Sequence, residues 1–284
     1  MTRPRMSVCQ LCLPKTSFEE DVRIARAIGY DGISIDERKM TGASDAALLE
    51  LFQASGLRAA ACCAKVWSIL PLTNFRDPLE PRERIDAICG GLRRLAAFQP
   101  TTVFCATGSR GQRTDAEARA IVVEGLRRIA AVAADVGVVV SLEPMTRESA
   151  VPIDGPIVSS IDEALALFDD VGDATMRLVV DVWHLHDSPG ILQSLERNAR
   201  RVDALQCCDW REPRGPRDRA MPGEGTAGVA GMMAALESGG FGGWLDLEVF
   251  SDELWQLSPE DFMRRGADAI RRSWERRRAP ARDQ

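Results

Sequence analysis

Short apolar runs rich in Val, Ile, Leu and Cys recur along the chain. Between them lie longer stretches with apolar residues three and four positions apart. The runs are Ser7–Leu13, Gly32–Asp36, Arg58–Lys65, Thr102–Ala106, Val138–Glu143, Arg177–Asp181, Arg201–Cys207 and Trp244–Val249. Near-continuous hydrophobicity over so few residues predicts strands buried on both faces, as parallel sheets require. The intervening stretches predict helices. In one of them Val122, Leu126, Ile129, Val132 and Val136 repeat at helical spacing before Gly137. Strictly alternating strands and helices imply right-handed parallel crossovers.

The helix starts are legible in the same way. Ser17-Phe-Glu-Glu20, Thr114-Asp-Ala-Glu117 and Ser160-Ile-Asp-Glu163 each fit a capping box, in which hydroxyl and carboxylate satisfy orphan amides reciprocally. Ser258 stands before Pro259, a cap followed by a proline suited to the first turn. Eight strand-helix units favour a closed (β/α)8 TIM barrel over an open doubly wound sheet, and no G-x-G-x-x-G follows the first strand. The expected organisation is a single domain over 1–284, with an ordered barrel over about 6–275 and short tails, the C-terminal one frayed from Arg276.

A length of 284 residues suits one such barrel, and 45% apolar with 27% charged residues is a globular balance. The net charge of -6 argues against a nucleic-acid partner, because phosphate binding needs a basic patch. No stretch approaches the ~20 apolar residues of a membrane span, and M-T-R-P-R-M lacks a signal core, so a cytoplasmic location is expected. Cys62, Cys63, Cys105, Cys207 and Cys208 fall in or directly beside strand runs, where Cys acts as a small hydrophobe. Cys9 and Cys12 are spaced as C-x-x-C, but no second such pair is present to complete a four-cysteine zinc site.

In a TIM barrel the working groups come from the C-terminal strand ends. The fifth strand ends at Glu143, the sixth at Asp181 with His184 beyond it, the seventh carries Gln206 and Asp209, and the eighth ends at Glu248. Any one of these acids taken singly reads as a helix cap or a rim ion pair. Together they place carboxylate, carboxylate, carboxamide and carboxylate on successive strands, at positions that point inward by the period-two rule. With no basic partner between them, such a group would repel itself unless a cation sits inside. Oxygen donors favour a hard ion: Mn²⁺ first, Mg²⁺ or Co²⁺ as substitutes, and Zn²⁺ less so.

The pattern resembles the xylose-isomerase-like TIM barrels of the sugar isomerase/epimerase superfamily, over essentially the whole chain. That resemblance implies one divalent metal held by Glu143, Asp181, Gln206 and Glu248. D-V-W-H resembles the family's D-x-x-H, which makes His184 a substrate-oxygen ligand. D-R-A-M-P-G-E-G, Asp218 to Gly225, resembles a D-R-x-x-P-G-x-G loop, which makes Arg219 a substrate ligand. It also implies a homodimer or homotetramer. Two departures bear on the reaction. Gln206 stands where many epimerases carry His, and E-V-F-S-D-E-L from Glu248 is similar to dehydratase-like members.

The expected chemistry is proton transfer beside the carbonyl of a keto-sugar or related polyhydroxylated small molecule, through an enediolate, with Glu143 and Glu248 as the proton-handling pair. Dehydration of a cyclic keto-polyol, such as a keto-inositol or 3-dehydroshikimate, uses the same groups and stays open. So does a non-catalytic barrel acting as a binding or partner subunit. Lys65 and Arg211 are further substrate-binding candidates, each equally readable as a rim salt bridge. The loop Arg211–Arg219, with Arg214 and Arg217, reads as a lid or a solvated charged loop. Trp67 and Trp210 either wall the pocket or pack at the barrel top, and His186 reads as structural.

Overall fold

A computed structural model describes residues 3–72, 75–145, 156–211 and 217–277. Nine parallel strand segments follow one another: β1 (Met6–Cys9), β2 (Gly32–Ser34), β3 (Arg58–Ala59), β4 (Ala61–Ser68), β5 (Thr102–Ala106), β6 (Val140–Leu142), β7 (Arg177–Asp181), β8 (Val202–Cys207) and β9 (Trp244–Leu247). They pair in the order β3-β2-β1-β9-β8-β7-β6-β5-β4. Segments β3 and β4 are one stave of the expected eight, interrupted at Ala60, whose amide still donates to Ile33 O at 2.9 Å. That bond, together with the bridge between Asp36 and Cys63, brings β2 against β4 and nearly closes the ring. The fold is the α/β TIM barrel.

Each stave is followed by a helix: α1 (Phe18–Ile28), α2 (Asp45–Ser55), α3 (Pro81–Leu95), α4 (Asp115–Val136), α5 (Ile161–Val171), the single turn α6 (Val182–Leu185) with α7 (Ile191–Asn198), α8 (Val229–Ser238) and α9 (Pro259–Arg276). The capping boxes at Ser17 and Thr114 form as expected, and Ser258 caps α9 ahead of Pro259. At α5 the motif splits. Ser160 accepts from the Glu163 amide, but the Glu163 carboxylate turns to the amide and hydroxyl of Ser159, because Ser159 supplies two donors to one oxygen. The C-terminal helix runs to Arg276, and the Arg277 guanidinium is bonded to Glu237 at 2.7 Å, so these two residues do not belong to the frayed tail expected from Arg276. Residues 278–284 and 1–2 lie outside the described residues.

Side chains alternate across the barrel wall. Along β9, Leu245 and Leu247 face the helices, while Trp244, Asp246 and the following Glu248 face inward. Trp244 plugs the lower end, its indole bonded to Thr101 and Arg5 above its ring. Alanines 60, 61, 106 and 204 make room for Trp244, Phe104 and Trp67 in one interior cluster. Asp246, buried between the hydroxyls of Ser7 (2.6 Å) and Ser34 (2.9 Å), occupies the level above Trp244. The mouth lies above Asp246, at the C-terminal strand ends.

Tight packing at the lower end leaves Gly32 no alternative. A Cβ there would stand 2.6 Å from Arg58 O and 2.9 Å from the Trp244 ring. Gly32→Ala is expected to cost about 1–3 kcal/mol of stability, the usual range for overpacking, read as a lowered urea midpoint with an unchanged slope.

Candidate active site

Glu143, Asp181, Gln206 and Glu248 are all buried at the mouth, delivered by β6, β7, β8 and β9. Inward parity holds for each: Leu142, Val180, Leu205 and Leu247, one residue earlier, belong to the helix-facing core. Asp181 is also the N-cap of α6, its Oδ1 accepting the Trp183 amide at 2.9 Å, and that turn carries His184 back over the barrel. His184 Nε2 lies 3.9 Å from Glu143 Oε1 and 3.7 Å from Asp181 Oδ2. Each of these three residues offers one ligand atom, and those atoms lie within 4.8 Å of one another. Gln206 donates Nε2 to Glu248 Oε1 at 2.9 Å, which turns its own oxygen, Oε1, into a buried acceptor with no partner.

One expectation is corrected. A basic group does stand among the carboxylates. Arg219 Nη1 is 3.0 Å from Asp181 Oδ2 and 3.0 Å from Glu248 Oε2, and the guanidinium lies over the rings of Trp183 (5.1 Å) and Phe250 (4.8 Å). Sequence spacing hides this contact because the loop after β8 doubles back. Asp209, buried at its start, accepts the amides of Trp210, Gly223 and Ala227, all at 2.8 Å. Ala220 pairs with Asp209, and the Arg219 amide donates to Phe250 O at 3.0 Å. Gly225 is needed at the crossing, since a Cβ would meet Trp210 O at 2.2 Å.

Arg219 does not satisfy the site. Its Nη1 has two hydrogens but faces Asp181 Oδ2, Glu248 Oε2, Glu248 O (3.2 Å) and Cys208 Sγ (3.8 Å). Asp181 Oδ2 is left without a hydrogen bond of good geometry, and His184 Nδ1 is also unpaired. Burial, followed by Glu248 and Asp181, pushes the Glu143 carboxyl well above the usual carboxylate range. Burial and Asp181 push Glu248 up to about 8, against the pull of Arg219. Burial pulls His184 down to about 4, so its imidazole is neutral at pH 7. Burial disfavours the charge on Arg219, but Asp181, Cys208, Glu248 and Glu143 reverse that and keep it firmly protonated. Three carboxyls against one guanidinium leave room for two more positive charges, the deficit a divalent cation fills. The residues present therefore fit a metal.

Two thiols also reach the site: Cys208, read as a core hydrophobe, and Cys9, for which the sequence carries no separate expectation. Cys9 Sγ is 3.6 Å from Glu248 Oε1, and Cys208 Sγ is 3.7 Å from Asp181 Oδ1. All eight cysteines are free and buried. Only the alternation of β1, with Cys9 in the inward phase of Ser7, signals that role in the sequence. Two other candidates are not brought into the buried group. Lys65 lies exposed on an irregular stretch of β4, where the ladder with β5 shifts between Cys63 and Ser68. Arg211 bonds to Glu253 at 2.6 Å and to Asp218 O, on the rim. Arg217 pairs with Asp252, and Arg214 lies outside the described residues. Trp210 packs on Trp183 at 4.3 Å and on His186 at 4.6 Å.

Residues 22–273 match the family model described as xylose isomerase-like TIM barrel. The chain belongs to that family. It is 25% identical over 267 residues to the inosose isomerase of Halalkalibacterium halodurans, covering 90% of this chain and 91% of that one. The D-psicose 3-epimerase of Enterocloster bolteae is 24% identical over 63% of this chain and 54% of its own length. Among solved structures, the IolI protein with a bound zinc atom superimposes with a TM-score of 0.82 at 18% identity, over 97% of this chain and all of that one. These relatives are isomerases and epimerases, which supports an enzyme of this family, and Glu143, Asp181 and His184 form a group that could hold a metal ion.

Replacing Arg219 exposes the repulsion it suppresses. In metal-free protein, Arg219→Met is expected to cost about 3–5 kcal/mol at pH 8.5, above the value of about 8 to which Glu248 is raised. The cost is smaller at pH 5, where Glu248 holds its proton. Urea unfolding in EDTA at the two pH values measures the difference.

Proposed function

We propose that this chain is a divalent-metal-dependent isomerase or epimerase that moves a proton beside the carbonyl of a polyhydroxylated keto compound. The observation that carries this reading is a pair of buried carboxyls, Glu143 and Glu248. They sit on either side of Asp181, His184 and Gln206, and both have a proton affinity raised toward neutrality. General acid–base catalysis works best when the proton affinity of the group lies near the working pH, and burial has moved both groups that way. The similarity to an inosose isomerase over nine-tenths of the chain supports a hydroxy-ketone substrate.

Glu143, Asp181, Gln206 and Glu248 would hold the ion, and the predominance of oxygen donors favours Mn²⁺, with Mg²⁺ or Co²⁺ able to replace it and Zn²⁺ less suited. When bound, the metal supplies Lewis-acid polarisation of the carbonyl and stabilises the negative charge that follows proton loss. One of the two glutamates removes the proton from the carbon next to the carbonyl. The other returns a proton, to the neighbouring carbon for isomerisation or to the opposite face for epimerisation. Neutral His184 donates or accepts at a substrate oxygen without adding charge to the site. Arg219, buried and permanently charged, steadies the oxygen that becomes negative as the enediolate forms. The packed rings of Trp183, Trp210 and Phe250 exclude water from that side.

Two variants test the reading. Glu143→Gln and Glu248→Gln are each expected to lower turnover of a keto-inositol or ketohexose by about 10²–10⁴-fold, and to stop deuterium wash-in at the α-carbon in D₂O. EDTA is expected to abolish activity, and Mn²⁺ to restore it. Growth of enone ultraviolet absorbance in place of an isomeric ketone would assign dehydration instead. Full activity of Glu143→Gln would remove the proton-transfer role.

A further inference from the structure

The mouth has a second half that the metal-centred chemistry does not use. As β4 advances from Cys63 to Ser68, β5 advances only from Phe104 to Ala106, so the intervening residues of β4 bulge at the rim. Bulges beside active sites re-aim side chains, and this one turns Trp67 into the interior cluster with Phe104, Leu72 and Met145, the last only two residues past Glu143. Trp67 is 8% exposed, and its Nε1–H is buried without an acceptor. A buried indole N–H normally finds a partner, and leaving it unpaired costs free energy. Phe75 packs edge-on against Trp67 with ring centres 5.5 Å apart, yet stays 41% exposed. Over the Phe75 ring, at 5.3 Å, stands Arg38, which Asp36 fixes through both carboxylate oxygens at 2.9 and 3.0 Å.

We infer that Trp67, Phe75 and Arg38 form a binding subsite for the far end of the substrate: an apolar wall with an unspent N–H donor and a tethered cation. An aromatic face flanked by hydrogen-bond donors suits a cyclic polyol, which has a C–H face to lay on the rings and hydroxyls at its edge. Strands β4, β5 and β6 are consecutive staves, so this wall and Glu143 stand about 10 Å apart around the rim. A six-membered-ring polyol ketone spans that separation; a three-carbon hydroxy-carbonyl does not. The subsite thus selects ring-sized substrates. This rests on the isomerase reading, which supplies the reacting end.

The test uses Mn²⁺-loaded protein, with a keto-inositol and dihydroxyacetone as substrates and myo-inositol as the non-reacting ligand. Trp67→Phe keeps an aromatic face and removes the N–H with the pyrrole half of the indole. It is expected to raise KM for the keto-inositol and Kd for myo-inositol about three- to tenfold, the loss of one hydrogen bond, with kcat and Mn²⁺ affinity unchanged. Phe75→Ala, at a half-exposed position, is expected to weaken both in the same direction. Dihydroxyacetone kinetics should not respond to either change. Unaltered KM and Kd in both variants, or equal losses for dihydroxyacetone, would overturn the subsite. If the wild-type protein turns over no keto-polyol but binds myo-inositol in a Trp67-dependent way, the isomerase reading fails and the subsite stands. Absence of both turnover and binding removes both.

Discussion

Three carboxyls held out of water within reach of one another form the constraint on which the rest of this molecule depends. Glu143, Asp181 and Glu248 are buried; Asp181 raises the cost of ionising both glutamates, and Glu248 does the same to Glu143. In a medium of low dielectric, such a group persists only with compensating positive charge and hydrogen bonds. The protein supplies part of that compensation and stops short of completing it. Arg219 bridges two of the three acids, and thiol donors from Cys9 and Cys208 touch the same two. Among the described residues, the neutral His184 approaches Glu143, at 3.9 Å, and Asp181 Oδ2 and Gln206 Oε1 are left without a hydrogen bond. The remaining imbalance is what gives the site its affinity for a cation.

Supporting that arrangement takes rigidity on both sides of the mouth. On the strand side, inward parity fixes the carboxyls to within one residue of Leu142, Val180, Leu205 and Leu247, whose packing under the helices sets the register. On the loop side, Asp209 serves the turn and not the chemistry. Its two oxygens hold three amides, Gly223 and Gly225 let the backbone cross itself, and the result is a fixed address for Arg219. The guanidinium then sits between two aromatic rings, so its position does not rest on charge alone.

The barrel was readable from the chain because both of its periodicities are strong. The apolar runs at Thr102–Ala106 and Arg177–Asp181 coincide with β5 and β7. The third run diverges because strand propensity cannot report the break at Ala60 or the bulge that leaves Lys65 exposed, both consequences of fitting β4 between two neighbours. Four inward acids and amides followed from parity. The placement of Arg219 did not, since it depends on a loop crossing set by Asp209, a residue that reads like one more rim carboxylate. Arg211 was indistinguishable from Arg219 by composition, and tertiary contact separates them: one bonds to Glu253 on the rim, the other enters the barrel. Cys208 reads as core because thiols look apolar in a hydropathy pattern, although a thiol also donates weakly, and Cys9 carries no signal beyond the alternation of β1.

The two halves of the mouth differ in kind, and the difference has a structural origin. Staves β6, β7 and β9 carry Glu143, Asp181 and Glu248 at or just past their last residue, and β8 carries Gln206, which places charge at the rim. The other side ends in a bulge and a loop rich in apolar side chains, which places aromatic surface there. A polyol ketone is itself two-faced, with a polar carbonyl end where charge develops and C–H surface elsewhere. Charge on one side of the opening and rings on the other would orient such a molecule before any chemistry starts. Orientation of that sort lowers a barrier by fixing which carbon faces Glu143 and Glu248, so the choice of proton lies as much with the aromatic side as with the acids.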